Sequence, residues 1–234
     1  MDPGTDNGKS PGRREAWAAL AYFALYLTYL FTAPESDLLH WLSLVAIPLV
    51  IVVVLRPEKR ALPAVLASFG LRPGNLGKGV GWALLLGTAF GFMQVFLSGS
   101  SAQAQEAFQS GRALYMLPLG FLLMLLTAGF TEEFFFRGFL QTRMEALLRS
   151  KWLAVLIVAL LFGVYHLPYA YLNPHWPSAG DWSAAWAAAL GNGVPGGLVL
   201  GTLYLKSNRN LIACIVLHSM IGAFPAMTLL RISS

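Results

Sequence analysis

Five ionisable side chains lie in or beside apolar stretches long enough to cross a lipid bilayer. They are Glu132, Glu133, Arg137, His166 and His218. Burying a charge in lipid costs several kcal/mol, so such residues are rare there and usually functional. A carboxylate and two imidazoles brought together from separate helices can bind a metal ion, or can activate a water molecule by general base catalysis.

Helical spacing distinguishes the two neighbouring glutamates. Glu133 and Arg137 are four residues apart, so on an α-helix they share a face and can neutralise each other in lipid. Glu132 points about 100° away from Glu133 around the helix. Glu132 is therefore the carboxylate less well matched to the arginine and the better candidate for chemistry.

The same residues could also have a purely structural role. A Glu–Arg pair near a helix end can be structural, with the long side chains reaching toward the interface. A histidine within the membrane can be a hydrogen-bond donor between helices. The same residues could also pass protons in a transporter, although the sequence has no internal repeat of the transporter type. A catalytically silent membrane scaffold or immunity protein is a further alternative.

The elements that must position these residues are membrane helices. Of the 234 residues 56% are hydrophobic and only 12% are charged, about half the charge of an ordinary soluble domain. The sequence predicts an all-α bundle of about seven transmembrane spans, near residues 17–32, 39–55, 79–97, 113–140, 152–167, 182–205 and 211–230. Short polar segments separate these spans.

The basic residues predict the orientation of the bundle. With a cytoplasmic N-terminus, only Arg112 and Arg231 of the 16 Lys and Arg residues fall outside, which is a strong positive-inside bias. Residues 1–15 are expected to be a disordered cytoplasmic tail, because they are polar and rich in Gly and Pro. Residues 16–234 are expected to form a single transmembrane domain with a catalytic core at about 113–230. The absence of any basic run speaks against nucleic acid as a partner.

Three sequence motifs resemble those of one known protein family. Glu132 to Arg137 reads EExxxR, Phe162 to His166 reads FxxxH, and Asn210 to His218 reads NLIACIVLH. In order and spacing they resemble the CAAX-protease and bacteriocin-processing (Abi) family of intramembrane proteases, over roughly residues 114–224. The resemblance implies an all-helical fold with an internal polar cavity. It also implies hydrolysis of a peptide bond in a membrane-associated protein or peptide.

The resemblance also implies roles for individual residues. Glu132 would activate the attacking water with His166 beside it, and Glu133 and Arg137 would support the site. His218 would stabilise the oxyanion or bind a metal. Two mechanisms remain open: a divalent metal such as zinc held by Glu132, His166 and His218, or a metal-free glutamate mechanism. The compact chain suggests a bacterial cytoplasmic (inner) membrane.

One position departs from the family pattern. The last motif usually has Asn or Asp four residues after the histidine, where this chain has Gly222. Loss of one oxyanion donor commonly lowers the rate about 10²–10³-fold. Asn192, in the run GNGVPGG of the sixth predicted span, is the candidate substitute, or else a residue of a helix kink. Cys214, one turn before His218, could be a thiol nucleophile, but a buried inert cysteine is the favoured interpretation.

Overall fold

The computed structural model describes residues 12–32, 37–55, 62–71, 76–97 and 101–229. In these ranges all regular structure is helical and there is no strand, which confirms the predicted all-α class. The α-helices are α1 Arg13–Thr32, α2 Asp37–Trp41, α3 Ile47–Leu55, α4 Leu62–Ser68, α5 Leu76–Leu97, α6 Ser101–Gln109, α7 Ala113–Leu126, α8 Ala128–Glu133, α9 Thr142–Leu148, α10 Lys151–Tyr165, α11 Leu167–Leu172, α12 Trp182–Ala188, α13 Val194–Lys206 and α14 Leu211–Leu229. π-Helical segments lie at Leu42–Ala46, Phe134–Gln141 and Ala189–Gly193.

The chain forms two compact units. The first comprises Met1–Phe69 and Phe135–Gly201, and the second comprises Gly70–Phe134 and Thr202–Ser234. In the first unit α1 packs against α3, α9 and α11, and the π-helical segment Ala189–Gly193 packs against α10 and α12. In the second unit α14 packs against α5, α7 and α8. Each unit therefore has its own helical core.

A buried ion pair fixes the beginning of α1 in the first unit. The Arg143 Nε atom lies 3.4 Å from Glu15 Oε2, and the two side chains are 0% and 6% exposed. The guanidinium also stacks on the rings of Phe69 and Phe139. Helix α1 thus begins within the segment 1–15 that was predicted as a tail, because Glu15 is held by a buried cation. Residues 1–11 of that segment lie outside the described residues.

Four helical stretches among the described residues are long and apolar enough to cross a membrane. They are Leu38–Leu55, Leu76–Gln94, Lys151–Leu172 and Trp182–Lys206. Ala113–Leu126 and Ala128–Leu148 give a fifth if they are counted as one broken span, and Leu211–Ala223 is a shorter apolar helix. The structure therefore supports four or five spans, and the predicted seven spans and N-terminal orientation are not confirmed.

The glycine-rich run of the sixth predicted span is not broken. Ala189–Gly193 adopts a π-helical turn between α12 and α13, and the whole stretch Trp182–Lys206 qualifies as one span. A π-helical turn absorbs an extra residue without ending the helix, and such turns are frequent at functional sites.

Candidate functional site

A kink at Thr127 sets the direction of the short helix that carries both glutamates. Thr127 has φ −109° and ψ −112°, outside the helical region, and it separates α7 from α8. Its side chain donates a hydrogen bond to the carbonyl of Leu123 at 2.7 Å, and Thr131 donates one to the carbonyl of Thr127 at 2.9 Å. The kink redirects the chain just before Glu132 and Glu133.

Close packing brings α8 against α14. A Cβ atom added to Gly129 would overlap Oγ of Ser219, and it would lie 2.7 Å from the carbonyl oxygen of Met124. Only glycine fits at this contact. Ser219 adjoins His218, and its hydroxyl donates a 2.7 Å hydrogen bond back to Ile215 of the same helix. Gly129 is therefore the residue that lets the glutamates approach His218.

His218 lies between the two carboxylates. Its Nδ1 atom is 2.8 Å from Oε1 of Glu133, and its Nε2 atom is 3.8 Å from Oε2 of Glu132. A carboxylate only accepts hydrogen bonds, so Nδ1 carries a proton and donates the hydrogen bond to Glu133. The Glu133 side chain is fully buried, whereas those of Glu132 and His218 are 8% and 13% exposed. Glu132 is thus the less buried of the two carboxylates, although its Oε2 atom is itself buried.

The arrangement of the three side chains suits activation of a water molecule. The 3.8 Å between Nε2 of His218 and Oε2 of Glu132 exceeds a direct hydrogen bond and is a distance that one water molecule can bridge, although Oε2 itself is buried. With Nδ1 protonated, Nε2 of a neutral His218 is an acceptor, as is the carboxylate of Glu132. A water that donates its two protons to these acceptors keeps its lone pairs for attack on a carbonyl carbon.

Arg137 lies in the first unit, within the π-helical segment. It is completely buried, its Nη2 atom donates to the carbonyl of Gly197 at 3.3 Å, and its guanidinium lies 4.5 Å from the centre of the Phe162 ring. The expected pairing of Glu133 with Arg137 rests on α-helical spacing, whereas the segment from Phe134 is π-helical, with hydrogen bonds between residues five apart. That pairing remains a prediction.

His166 lies at the junction between α10 and α11, also in the first unit. Its Nδ1 atom is 2.8 Å from the carbonyl oxygen of Phe162. A carbonyl oxygen can only accept, so Nδ1 bears a proton and Nε2 is the acceptor of the neutral ring. A Cβ atom at Gly193 would lie 2.6 Å from Cα of Gly163 and 3.4 Å from Nδ1 of His166. The glycine pair therefore lets the glycine-rich segment pack closely beside this histidine.

The predicted site residues thus divide between the two units. Glu132, Glu133 and His218 come together in the second unit, whereas Arg137, His166 and Asn192 belong to the first. The Asn192 side chain is exposed and its neighbour Gly193 faces His166. Convergence of His166 with Glu132, and the role of Asn192 as an oxyanion donor, remain predictions. Cys214 is fully buried on α14.

The space beside Gly222 is filled by another side chain. A Cβ atom at this position would overlap the end of Met124 and would lie 3.1 Å from its Cγ atom. Met124 on α7 thus occupies the room that the Asn or Asp of the family pattern would need. Sequence reasoning identified the missing amide but not Met124, because its approach to α14 depends on how α7 and α14 pack.

The His, Cys, Asp and Glu side chains of the described residues give no support to the predicted metal site. Across the described ranges, no group of three or more His, Cys, Asp or Glu side chains could hold a metal ion. A structural or catalytic zinc site ordinarily uses at least three protein ligands. The predicted ligands Glu132, His166 and His218 are divided between the two units, and a metal held by them remains a prediction.

A match to a family model supports the resemblance that the three motifs indicate. Residues 114–224 match the family model described as type II CAAX prenyl endopeptidase Rce1-like. No curated protein and no solved structure matches the chain. The matched region contains all three motifs, so the predicted family resemblance is confirmed. At the level of the family the match supports a membrane protease, and with the apolar helices it indicates an integral membrane protein.

The contact at Gly129 makes a testable prediction. Gly129→Ala should push α8 away from α14 and lengthen the hydrogen bond between Glu133 and His218, because the added methyl group overlaps Ser219. Overpacking of this kind costs about 1–3 kcal/mol. We expect a lower melting temperature and loss of the hydrogen-bonded Nδ1 proton signal of His218 in NMR spectra of the ¹⁵N-labelled protein.

The matched control is Gly81→Ala on α5, where an added Cβ has nothing within 4 Å. It should leave the melting temperature and the His218 signal unchanged. An unaltered His218 proton signal in Gly129→Ala would contradict the assigned role of the glycine.

Proposed function

We propose that this protein is an intramembrane endopeptidase that hydrolyses a peptide bond in a membrane-associated protein or peptide, with Glu132 activating the attacking water. The observation that carries the proposal is the Glu133–His218–Glu132 cluster, in which only Glu132 and His218 have exposed surface. The match of residues 114–224 to a family named for endopeptidases supports the same reaction class.

The proposed reaction moves one proton through Glu132. Its carboxylate takes a proton from the attacking water, and the resulting hydroxide adds to the carbonyl carbon of the scissile peptide bond. The tetrahedral intermediate then collapses and the C–N bond breaks. The proton held by Glu132 passes to the departing amine nitrogen, which leaves Glu132 ionised for the next turnover.

Glu133 and His218 hold the water in the correct position. Glu133 accepts a hydrogen bond from Nδ1–H at 2.8 Å, which fixes the tautomer and orientation of the ring and favours positive charge on it, as the carboxylate of a catalytic triad does. The Nε2 atom then faces the water and Glu132.

Residues of the first unit have supporting roles in this proposal. His166, whose ring is fixed through Nδ1 by the Phe162 carbonyl, would assist proton transfer through Nε2. Arg137 would act as a positioning residue, because its guanidinium is buried between the Phe162 ring and the Gly197 carbonyl. Asn192 would supply the amide that Gly222 lacks.

The proposed setting is a bacterial cytoplasmic membrane, with the N-terminus on the cytoplasmic side and about seven spans. The charge distribution supports this orientation, since nearly all Lys and Arg residues then fall on the inner side. The mechanism proposed for the protein is the metal-free one of the two that the sequence left open.

The first prediction of this proposal concerns Glu132. Cells expressing Glu132→Gln should lack the new protein termini that the wild-type protein generates in the membrane fraction, because an amide cannot accept the water proton. The measurement is mass spectrometry of all N- and C-terminal peptides in membranes, with both proteins at equal abundance. Glu106→Gln, an exposed glutamate on α6, is the control and should retain every wild-type product. Identical termini in wild type and Glu132→Gln would reject the proposal.

The second prediction concerns the space shared by Gly222 and Met124. Gly222→Asn alone should lower the melting temperature, because the new side chain overlaps Met124. In an Asn192→Ala background, which removes the proposed substitute amide, Gly222→Asn/Met124→Ala should recover stability and cleave faster than Met124→Ala, by up to about 10²-fold, since an oxyanion donor is restored. Cleavage is measured on a product identified in the terminal-peptide comparison. A stable double variant with no gain in rate would show that the missing amide does not limit catalysis.

A further inference from the structure

The second unit contains a large cavity, open along one side where Phe92, Phe96 and Phe108 are exposed, that the proposed mechanism does not use. Its volume is about 690 Å³, within the range of about 300–1,000 Å³ typical of sites for small molecules. The walls come from α5, α6 and α14, and aromatic and sulfur-containing side chains form much of the lining: Phe92, Phe96, Phe108 and Met220. Cavities of this size and composition take hydrophobic ligands.

The polar groups of the cavity lie mostly on one helix. No charged side chain lines it, and its two amides, Gln105 and Gln109, are four residues apart on α6 and so share one face. Thr88 on α5 adds a hydroxyl. An amide pair can donate hydrogen bonds to ester or phosphate oxygens. The lining therefore suits a ligand with a long apolar body and one polar, oxygen-rich end.

The cavity follows a helix that is apolar enough to cross the membrane. Its lining on α5 extends from Gly87 to Phe96, a length of about 13 Å at the helical rise of 1.5 Å per residue. Leu76–Gln94, which contains most of this segment, is a candidate span. The abundant molecule with a long apolar body at this depth is a membrane lipid.

The cavity and the Glu–His cluster lie on different sides of α14. Met220 lines the cavity and follows His218 by two residues, which places the two side chains about 200° apart around the helix. Met220 also contacts α5, where a Cβ atom at Gly87 would lie 2.8 Å from its Cβ. A ligand in the cavity would pack behind the helix that carries His218, away from the reacting atoms. This favours a resident lipid over the substrate's own lipid anchor.

We infer that this cavity binds an acyl chain of a bilayer phospholipid, with the headgroup end at Gln105 and Gln109, and that the bound chain supports α14 from behind. The inference concerns binding and does not depend on the proposed hydrolysis. The bound chain completes the packing of the second unit on the face of α14 opposite the Glu–His cluster.

The test is photo-crosslinking of the full-length protein in phospholipid nanodiscs. The probe is a phosphatidylcholine that carries a diazirine near the end of one acyl chain, present at a low fraction of total lipid. In the wild type we expect crosslinks concentrated on the cavity-lining peptides of α5, α6 and α14. Thr88→Trp should fill the cavity and remove these crosslinks. Phe96→Trp serves as a second filling variant if Thr88→Trp does not fold.

The matched control is Met93→Trp, on the same helix, at an exposed position that does not line the cavity. It should keep the wild-type crosslinks. Equal labelling of wild type and the filling variants, or labelling spread evenly over the outer helix faces, would overturn the inference. Displacement of the probe by a lipid-anchored peptide, but not by added phospholipid, would assign the cavity to the substrate's anchor and also overturn it. Because the experiment measures lipid binding, its result holds whether or not the protein hydrolyses peptide bonds.

Discussion

The hydrogen bond between Glu133 and His218 is the interaction on which the proposed site depends. A fully buried carboxylate in an apolar surrounding is stable only when it is hydrogen-bonded or paired. Glu133 meets that requirement partly through the Nδ1 proton of His218 at 2.8 Å. This bond joins α8 to α14, and it sets which ring nitrogen faces Glu132. The chemistry proposed for Glu132 therefore relies on a neighbour that never touches the water.

The local backbone of the second unit allows Glu133 to reach His218. The kink at Thr127 turns the chain before the glutamates, and Gly129 removes the side chain that would keep α8 away from Ser219. The buried cations of the first unit also contact aromatic rings: Arg137 lies on Phe162, and Arg143, which pairs with Glu15, lies on Phe69 and Phe139. In each unit, charge inside an apolar helical core is accompanied by a specific partner.

The sequence allowed the all-α class, the family resemblance and the candidate glutamates and histidines to be predicted. Ionisable residues stand out in apolar runs, and lipid makes each of them costly. The π-helical segment Phe134–Gln141 could not be predicted, because a π-turn has no reliable mark in a single sequence. The kink at Thr127 and the filling of the space beside Gly222 by Met124 depend on packing between helices distant in sequence. The structure supports four or five spans rather than the predicted seven.

The most direct test of the central claim is a double-mutant cycle on Glu133 and His218, with cleavage rate as the readout. If Glu133 acts through His218, Glu133→Gln should lower the rate roughly 10²-fold or more in the wild-type background. It should have little further effect once His218 is alanine, because residues that act as a unit are strongly non-additive. Equal effects of Glu133→Gln in the two backgrounds would contradict the account, since Glu133 would then act independently of the histidine.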